Sequence, residues 1–175
     1  MIRDRTLQVL LVEDDPADVA LTKKLFQEAK IALDLTVLND GVEAMAYLRR
    51  EKPYSDAAWP DLMLLDLNMP KKNGCEVLED MQHDERLRSI PVVVLTTSDN
   101  DTDIERAYDL GANCYITKPE GLDQFAKAIY SIEDFWFTVF KLPPRKGAYV
   151  DFCLMRAQGG RALPVLLPWK DRTVA

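Results

Sequence analysis

Four short apolar runs in the first two thirds of this chain each stop at a cluster of polar residues, and this repetition constrains the fold most. Residues 7–12 run into Glu13-Asp14-Asp15, residues 62–65 into Asp66, residues 90–95 into Thr96-Thr97-Ser98, and residues 114–117 into Lys118-Pro119. Short, nearly continuous apolar runs read as strands buried on both faces, as in a parallel sheet. Parallel strands share one carboxyl edge, where ligands of open α/β sheets bind, so one sheet would bring all four clusters together.

The segments between the runs carry helical signals. Asp15-Pro16 offers an N-cap and a first-turn proline ahead of Val19, Ala20, Leu25, Phe26 and Ala29. A further strand is expected over residues 33–38, and Asn39-Asp40-Gly41 turns it into a helix carrying Val42, Ala44, Met45 and Leu48. Residues 53–60 read as a loop, a third helix begins near Gly74, and the polar residues 83–89 join it to the next strand. A fourth helix carries Ile104, Ala107, Tyr108 and Leu110 and stops at Gly111, and a fifth spans residues 122–140. Alternation of this kind predicts an α/β class, a doubly wound parallel sheet with right-handed crossovers.

A chain of 175 residues accommodates one such domain plus an appendage. Its net charge of −7 argues against non-specific attraction to nucleic acid. Cys75, Cys114 and Cys153 are too widely spaced for a zinc knuckle and odd in number, which favours reduced thiols. The apolar stretch after Met1 is too short for a signal peptide or a membrane span, so a cytoplasmic protein is expected.

The strand ends suggest a chemistry. Glu13, Asp14 and Asp66 brought together would repel one another, and hard oxygen ligands suit Mg²⁺, which relieves that repulsion. The Asp66 carboxylate could then attack phosphorus and form an acyl phosphate, with Lys118 supplying an ammonium and Thr96 a hydroxyl to the phosphoryl oxygens. Taken singly, the acidic triplet reads as a helix N-terminus and Lys118-Pro119 as a surface turn; only the set is informative. His83 has no companion histidine and reads as solvated surface.

Leu11-Val12-Glu13-Asp14-Asp15-Pro16, Asp66-Leu67-Asn68-Met69-Pro70 with Gly74, Leu95-Thr96-Thr97 and Tyr115-Ile116-Thr117-Lys118-Pro119 resemble the receiver domain of two-component response regulators, over residues 7–142. That resemblance implies a flavodoxin-like sheet of five strands in the order 2-1-3-4-5 with five helices. It implies phosphoryl transfer to Asp66 from the phosphohistidine of a sensor histidine kinase. It further implies that Asp14, Asp66 and the Asn68 main-chain carbonyl ligate Mg²⁺ and that Glu13 acts mainly through metal-bound water. Thr96 and Lys118 would contact the phosphoryl group, Tyr115 would be the aromatic switch that follows Thr96, and Asn68 and Ser98 would flank the attacking water in slow self-dephosphorylation. More narrowly, residues 95–98, 112–119 and 131–136, with the loop of residues 54–59, resemble small stand-alone regulators paired with phytochrome-type kinases.

A receiver domain is therefore expected over residues 1–143, acting as a phosphoacceptor and not as an enzyme, with residues 144–175 an extension or dimerisation arm. Phe135, Trp136, Phe137 and Phe140 surround much of the fifth helix, which fits a homodimer or partner surface, or else a helix that packs its own tail. The apolar tail reads as an arm on a neighbouring subunit or as an extension that frays. Two other functions stay open: a Mg²⁺-dependent aspartyl-phosphate phosphatase, for which Asn68 stands where a second acid would be needed, and a scaffold indifferent to phosphorylation.

Overall fold

The computed structural model describes residues 6–28 and 32–134. Strands β1 (Leu7–Val12), β2 (Leu33–Leu38), β3 (Leu62–Leu65), β4 (Val92–Thr96) and β5 (Cys114–Thr117) alternate with helices α1 (Pro16–Glu28), α2 (Gly41–Leu48), α3 (Gly74–Gln82), α4 (Asp101–Asp109) and α5 (Leu122–Glu133). The strands form one parallel sheet in the order β2-β1-β3-β4-β5. This is the expected doubly wound fold, and no helix among the described residues is long and apolar enough to cross a membrane.

The period-two alternation of a strand divides the core into two layers. Leu7, Val9 and Leu11 of β1, Leu62 and Leu64 of β3, and Val93 and Leu95 of β4 meet Leu25 and Phe26 of α1 and Phe125, Ile129 and Ile132 of α5. The intervening residues, Leu10, Val12, Met63, Leu65, Val92 and Val94, meet Met45 and Leu48 of α2, Val77, Leu78 and Met81 of α3, and Ala107 of α4. Every residue of β3 and β4 is buried, which is why both read as unbroken apolar runs.

Local chemistry sets the helix limits. Asp15 accepts from the backbone N–H groups of Ala17 and Asp18 at 2.7 and 3.3 Å, so it caps α1 as expected. Asn73 and Glu76 form a reciprocal capping box at α3. After α4, Gly111 adopts φ +91°, and its N–H bonds to Tyr108 while that of Ala112 returns to Ala107, a Schellman ending that needs the left-handed residue.

Two details depart from expectation. The fourth strand pairs from Val92 and not from Ile90, because Pro91 has no N–H and contributes only its carbonyl, to Met63 N at 2.9 Å. The polar link of residues 83–89 contains a short 3₁₀ turn, Leu87–Ser89, whose Leu87 is fully buried. The predicted stretch of the fifth helix beyond Asp134, with Phe135, Trp136, Phe137 and Phe140, lies outside the described residues, as do Cys153 and residues 144–175.

Gly74 starts α3 hard against the end of β3. Its N–H bonds to the Leu67 carbonyl at 3.0 Å, and a Cβ there would lie 2.4 Å from the Asp66 carbonyl oxygen and 2.8 Å from Leu67 Cα. Both obstacles are backbone, so Gly74→Ala must displace the Asp66 loop. Urea unfolding of that variant should show a loss of about 2 kcal/mol, the usual scale of overpacking.

Candidate functional site

The sheet order reverses at β1 and β3, since the chain leaves β1 for β2 on one side and builds β3, β4 and β5 on the other. The register sets Val12 beside Leu65, Leu65 beside Val94, and Thr96 beside Thr117. The residues that follow these strand ends, Glu13, Asp14, Asp66 and Lys118, therefore converge on Thr96 at the switch point, where such sheets bind ligands. Backbone bonds fix the edge: Asp66 N–H donates to Val12 O at 3.0 Å and Lys118 N–H to Thr96 O at 2.6 Å.

Lys118 organises the side chains. Its Nζ lies 2.6 Å from Glu13 Oε2, 2.8 Å from Asp66 Oδ2 and 2.8 Å from Asp18 Oδ2. Glu13, Asp66 and Lys118 are buried and Thr96 is wholly so, whereas Asp14 is exposed. The second Asp66 oxygen, Oδ1, accepts from the Asn68 backbone N–H at 3.0 Å. Thr96 Oγ1 accepts from Asn68 Nδ2 at 3.3 Å and from Ser98 N–H at 3.5 Å. Asn68 thus touches both the Asp66 carboxylate and the Thr96 hydroxyl.

Electrostatics in this pocket are lopsided: Glu13, Asp18 and Asp66 share one ammonium, and Asp14 adds a fourth carboxylate beside Glu13 and Asp66. Burial pushes the Glu13 carboxyl up to about 7, against the pull of Lys118, and the Asp66 charge adds to the rise. Burial alone would favour a neutral Lys118, but its bonds to Asp18, Asp66 and Glu13 outweigh that and hold it charged above its ordinary range.

One oxygen from each of Glu13, Asp14 and Asp66 lies within 4.8 Å of the others. Hard oxygen donors, an excess of negative charge and an exposed Asp14 fit a divalent cation that keeps part of its water shell. The sequence-predicted ligand set is therefore brought together, with Asn68 beside it.

Tyr115 lies one strand over. Its hydroxyl donates to the Ser98 carbonyl at 2.9 Å, its N–H donates to the Tyr108 hydroxyl at 3.2 Å, and it is half-buried. Ser98 in turn donates to Asp103 Oδ2 at 2.6 Å, which ties the loop after Thr96 to the first turn of α4. Tyr115 is joined through this loop to the residue two positions from Thr96. His83, on the exposed end of α3, faces its own helix through Glu79 O and takes no part.

Asp18 was not singled out by sequence reasoning. An acid in the first turn of a helix is adequately explained by the helix dipole, and its Lys118 contact spans 100 positions. The signal was nevertheless present, because Asp15-Pro16 fixes where α1 starts, on the loop that carries Glu13 and Asp14.

Comparisons with known proteins agree with this geometry. Residues 9–130 match the family model of the response regulator receiver domain. The chain is 44% identical over 135 residues to response regulator Rcp1 of Synechocystis sp., covering 77% of this chain and 92% of that protein. The crystal structure of the phosphorylated cyanobacterial phytochrome response regulator RcpA is similar at 46% identity and a TM-score of 0.77, over 80% of this chain and 100% of that one. The Mn²⁺-bound form of Rcp1 is similar at 43% identity and a TM-score of 0.76, over 79% and 99% of the two chains.

The shift at Glu13 has a measurable sign. The folded protein holds the Glu13 proton up to about pH 7, whereas an ordinary glutamate loses it near 4.5. The folded state therefore binds more protons between those values, so this contribution to stability is complete below 4.5 and gone above about 7. Melting curves in chelator should fall across that window for the native sequence and flatten for Glu13→Gln.

Proposed function

Because the chain belongs to the response regulator receiver family, we propose that it is a signalling protein whose state is set by phosphorylation of Asp66, with Mg²⁺ as its cofactor. The observation that carries this reading is the 2.8 Å contact of Asp66 Oδ2 with Lys118 Nζ beside the Glu13, Asp14 and Asp66 cluster. It joins a nucleophile, a cation for the phosphoryl oxygens and a place for a metal.

The donor is the phosphohistidine of a sensor histidine kinase. An Asp66 carboxylate oxygen forms the new O–P bond as the N–P bond breaks, and the electron pair of that bond stays on the imidazole nitrogen. Asp14, Asp66, the Asn68 carbonyl and, through water, Glu13 would hold Mg²⁺. When bound, the ion supplies positive charge against the phosphoryl oxygens. Lys118 offers one of its N–H groups to the phosphoryl group in place of Asp66 Oδ2. Thr96 Oγ1 accepts from Asn68 and Ser98, and its own proton can be given to a phosphoryl oxygen.

Movement of Thr96 toward the phosphoryl group would break its bond to Asn68 and shift the loop whose Ser98 carbonyl holds the Tyr115 hydroxyl. That makes Thr96 and Tyr115 the switch, and the face of α4, β5 and α5 its readout. Asn68 and Ser98 border the place where water would reach the acyl phosphate, which gives slow self-dephosphorylation and no turnover on other substrates.

Resemblance to RcpA supports a phytochrome-type kinase as the partner. We extend the receiver over residues 1–143 and assign residues 144–175 to an arm. A homodimer forms through α5, that arm, or both. The protein acts in the cytoplasm, without binding nucleic acid or membrane. Asn68, where a phosphatase of the Asp-x-Asp type carries its second acid, weighs against a phosphatase.

Incubation of the full chain with Mg²⁺ and acetyl phosphate should add one phosphoryl group, stable in acid and labile in base. The adduct should vanish with chelator and in Asp66→Asn. Failure of the native chain to form it under these conditions would sink the reading. Phosphotransfer from a panel of histidine kinases should be fastest from a phytochrome-type member.

A further inference from the structure

We propose that Asp18 is a positioning residue for phosphoryl transfer, which holds Lys118 in place when Glu13 and Asp66 turn to other partners. The proposal rests on the reading of Asp66 as phosphoacceptor and adds a residue to its machinery.

An ammonium has three N–H donors, and those of Lys118 meet three carboxylates: Glu13, Asp18 and Asp66. Two of the three belong to the cluster that could hold a cation, and Asp18 does not. Cation binding draws on the lone pairs of Glu13 and Asp66, and phosphorylation converts an Asp66 oxygen into the bridging oxygen of an acyl phosphate, a far weaker acceptor. Both events weaken two of the bonds that fix the ammonium, at the moment when one N–H must turn to a phosphoryl oxygen.

Asp18 is the partner left unchanged. It is the third residue of α1, a helix anchored by Thr22, Leu25 and Phe26, so its position is set by the scaffold and not by the state of the site. Its backbone N–H donates the ordinary N-cap bond of the helix, to Asp15 Oδ1 at 3.3 Å, an acceptor that Asp15→Asn would keep. The Asp18 carboxylate is a third exposed and that of Asp66 is nearly buried, so Asp18 approaches the ammonium from the solvent side of the pocket. Without it, Lys118 would be held only by the two groups whose chemistry changes.

Nothing else on α1 duplicates this contact among the described residues. Asp15 lies three positions earlier and its carboxylate caps the helix, bonded to Ala17 and Asp18 N–H. It therefore serves as a control that changes charge by the same amount and leaves an acceptor for the cap.

The test compares the native chain with Asp18→Asn, Asp18→Ala and Asp15→Asn. The rate of Asp66 phosphorylation by acetyl phosphate at saturating Mg²⁺ is followed by intact mass, and Mg²⁺ affinity by calorimetry. Loss of one charge-assisted hydrogen bond to the ammonium predicts a rate about five- to tenfold lower in both Asp18 variants. Mg²⁺ affinity should hold, and Asp15→Asn should react like the native chain.

Rates in the Asp18 variants equal to or above the native one would overturn the proposal. So would an equal slowing in Asp15→Asn, which would make the effect one of general charge. A parallel loss of Mg²⁺ affinity would also overturn it, because Asp18 would then act through the cation cluster. Thermal melts report whether each variant is folded. The receiver reading fails separately, if the native chain takes no phosphoryl group or if Asp66→Asn still does.

Discussion

The charge imbalance at the carboxyl edge of the sheet governs the arrangement around it. Three carboxylates are bonded to Lys118, a fourth, that of Asp14, lies beside two of them, and burial has already raised Glu13 to about 7. A buried charge is tolerated only with partners, and Lys118 finds them on three different elements: the ends of β1 and β3 and the first turn of α1. One ammonium thus binds together segments that are distant in sequence. The remaining negative charge, with oxygens of Glu13, Asp14 and Asp66 within 4.8 Å of one another, fits a divalent cation at this edge.

Such concentration requires a rigid frame, and the two-layered core provides it. Strands β3 and β4 have apolar side chains packed on both faces, so Asp66 and Thr96 end strands with no freedom to tilt. Gly74 lets α3 begin against the Asp66 loop, and the capping box at Asn73 and Glu76 secures that start. The polar groups of the site can therefore be few, because the apolar framework orients them.

Most of this frame was legible in the sequence because it rests on local signals. Unbroken apolar runs mark doubly covered strands, Asp15-Pro16 marks the start of α1, and Gly111 marks the end of α4. The grouping of Glu13, Asp14, Asp66, Thr96 and Lys118 followed from placing strand ends on one edge. What escaped depends on tertiary contact. Asp18 looks like any first-turn acid until Lys118 is folded onto it, and Leu87 looks like part of a polar link until the 3₁₀ turn buries it. The strand limit at Val92 needed the ladder itself, since Ile90 is as apolar as its neighbours.

Helix α4 differs from the rest of the frame. Only Ala107 of its residues is fully buried, whereas α3 buries Gly74, Cys75, Val77, Leu78 and Met81. Its N-terminal turn is held by polar contacts, Asn100 to Thr102 N–H and Asp103 to Ser98, and the latter runs toward Tyr115. An element with so little apolar surface committed to the core has a low local unfolding free energy. The frame is therefore graded, densely packed along β3 and β4 and sparsely packed at α4, the helix tied to the loop after Thr96.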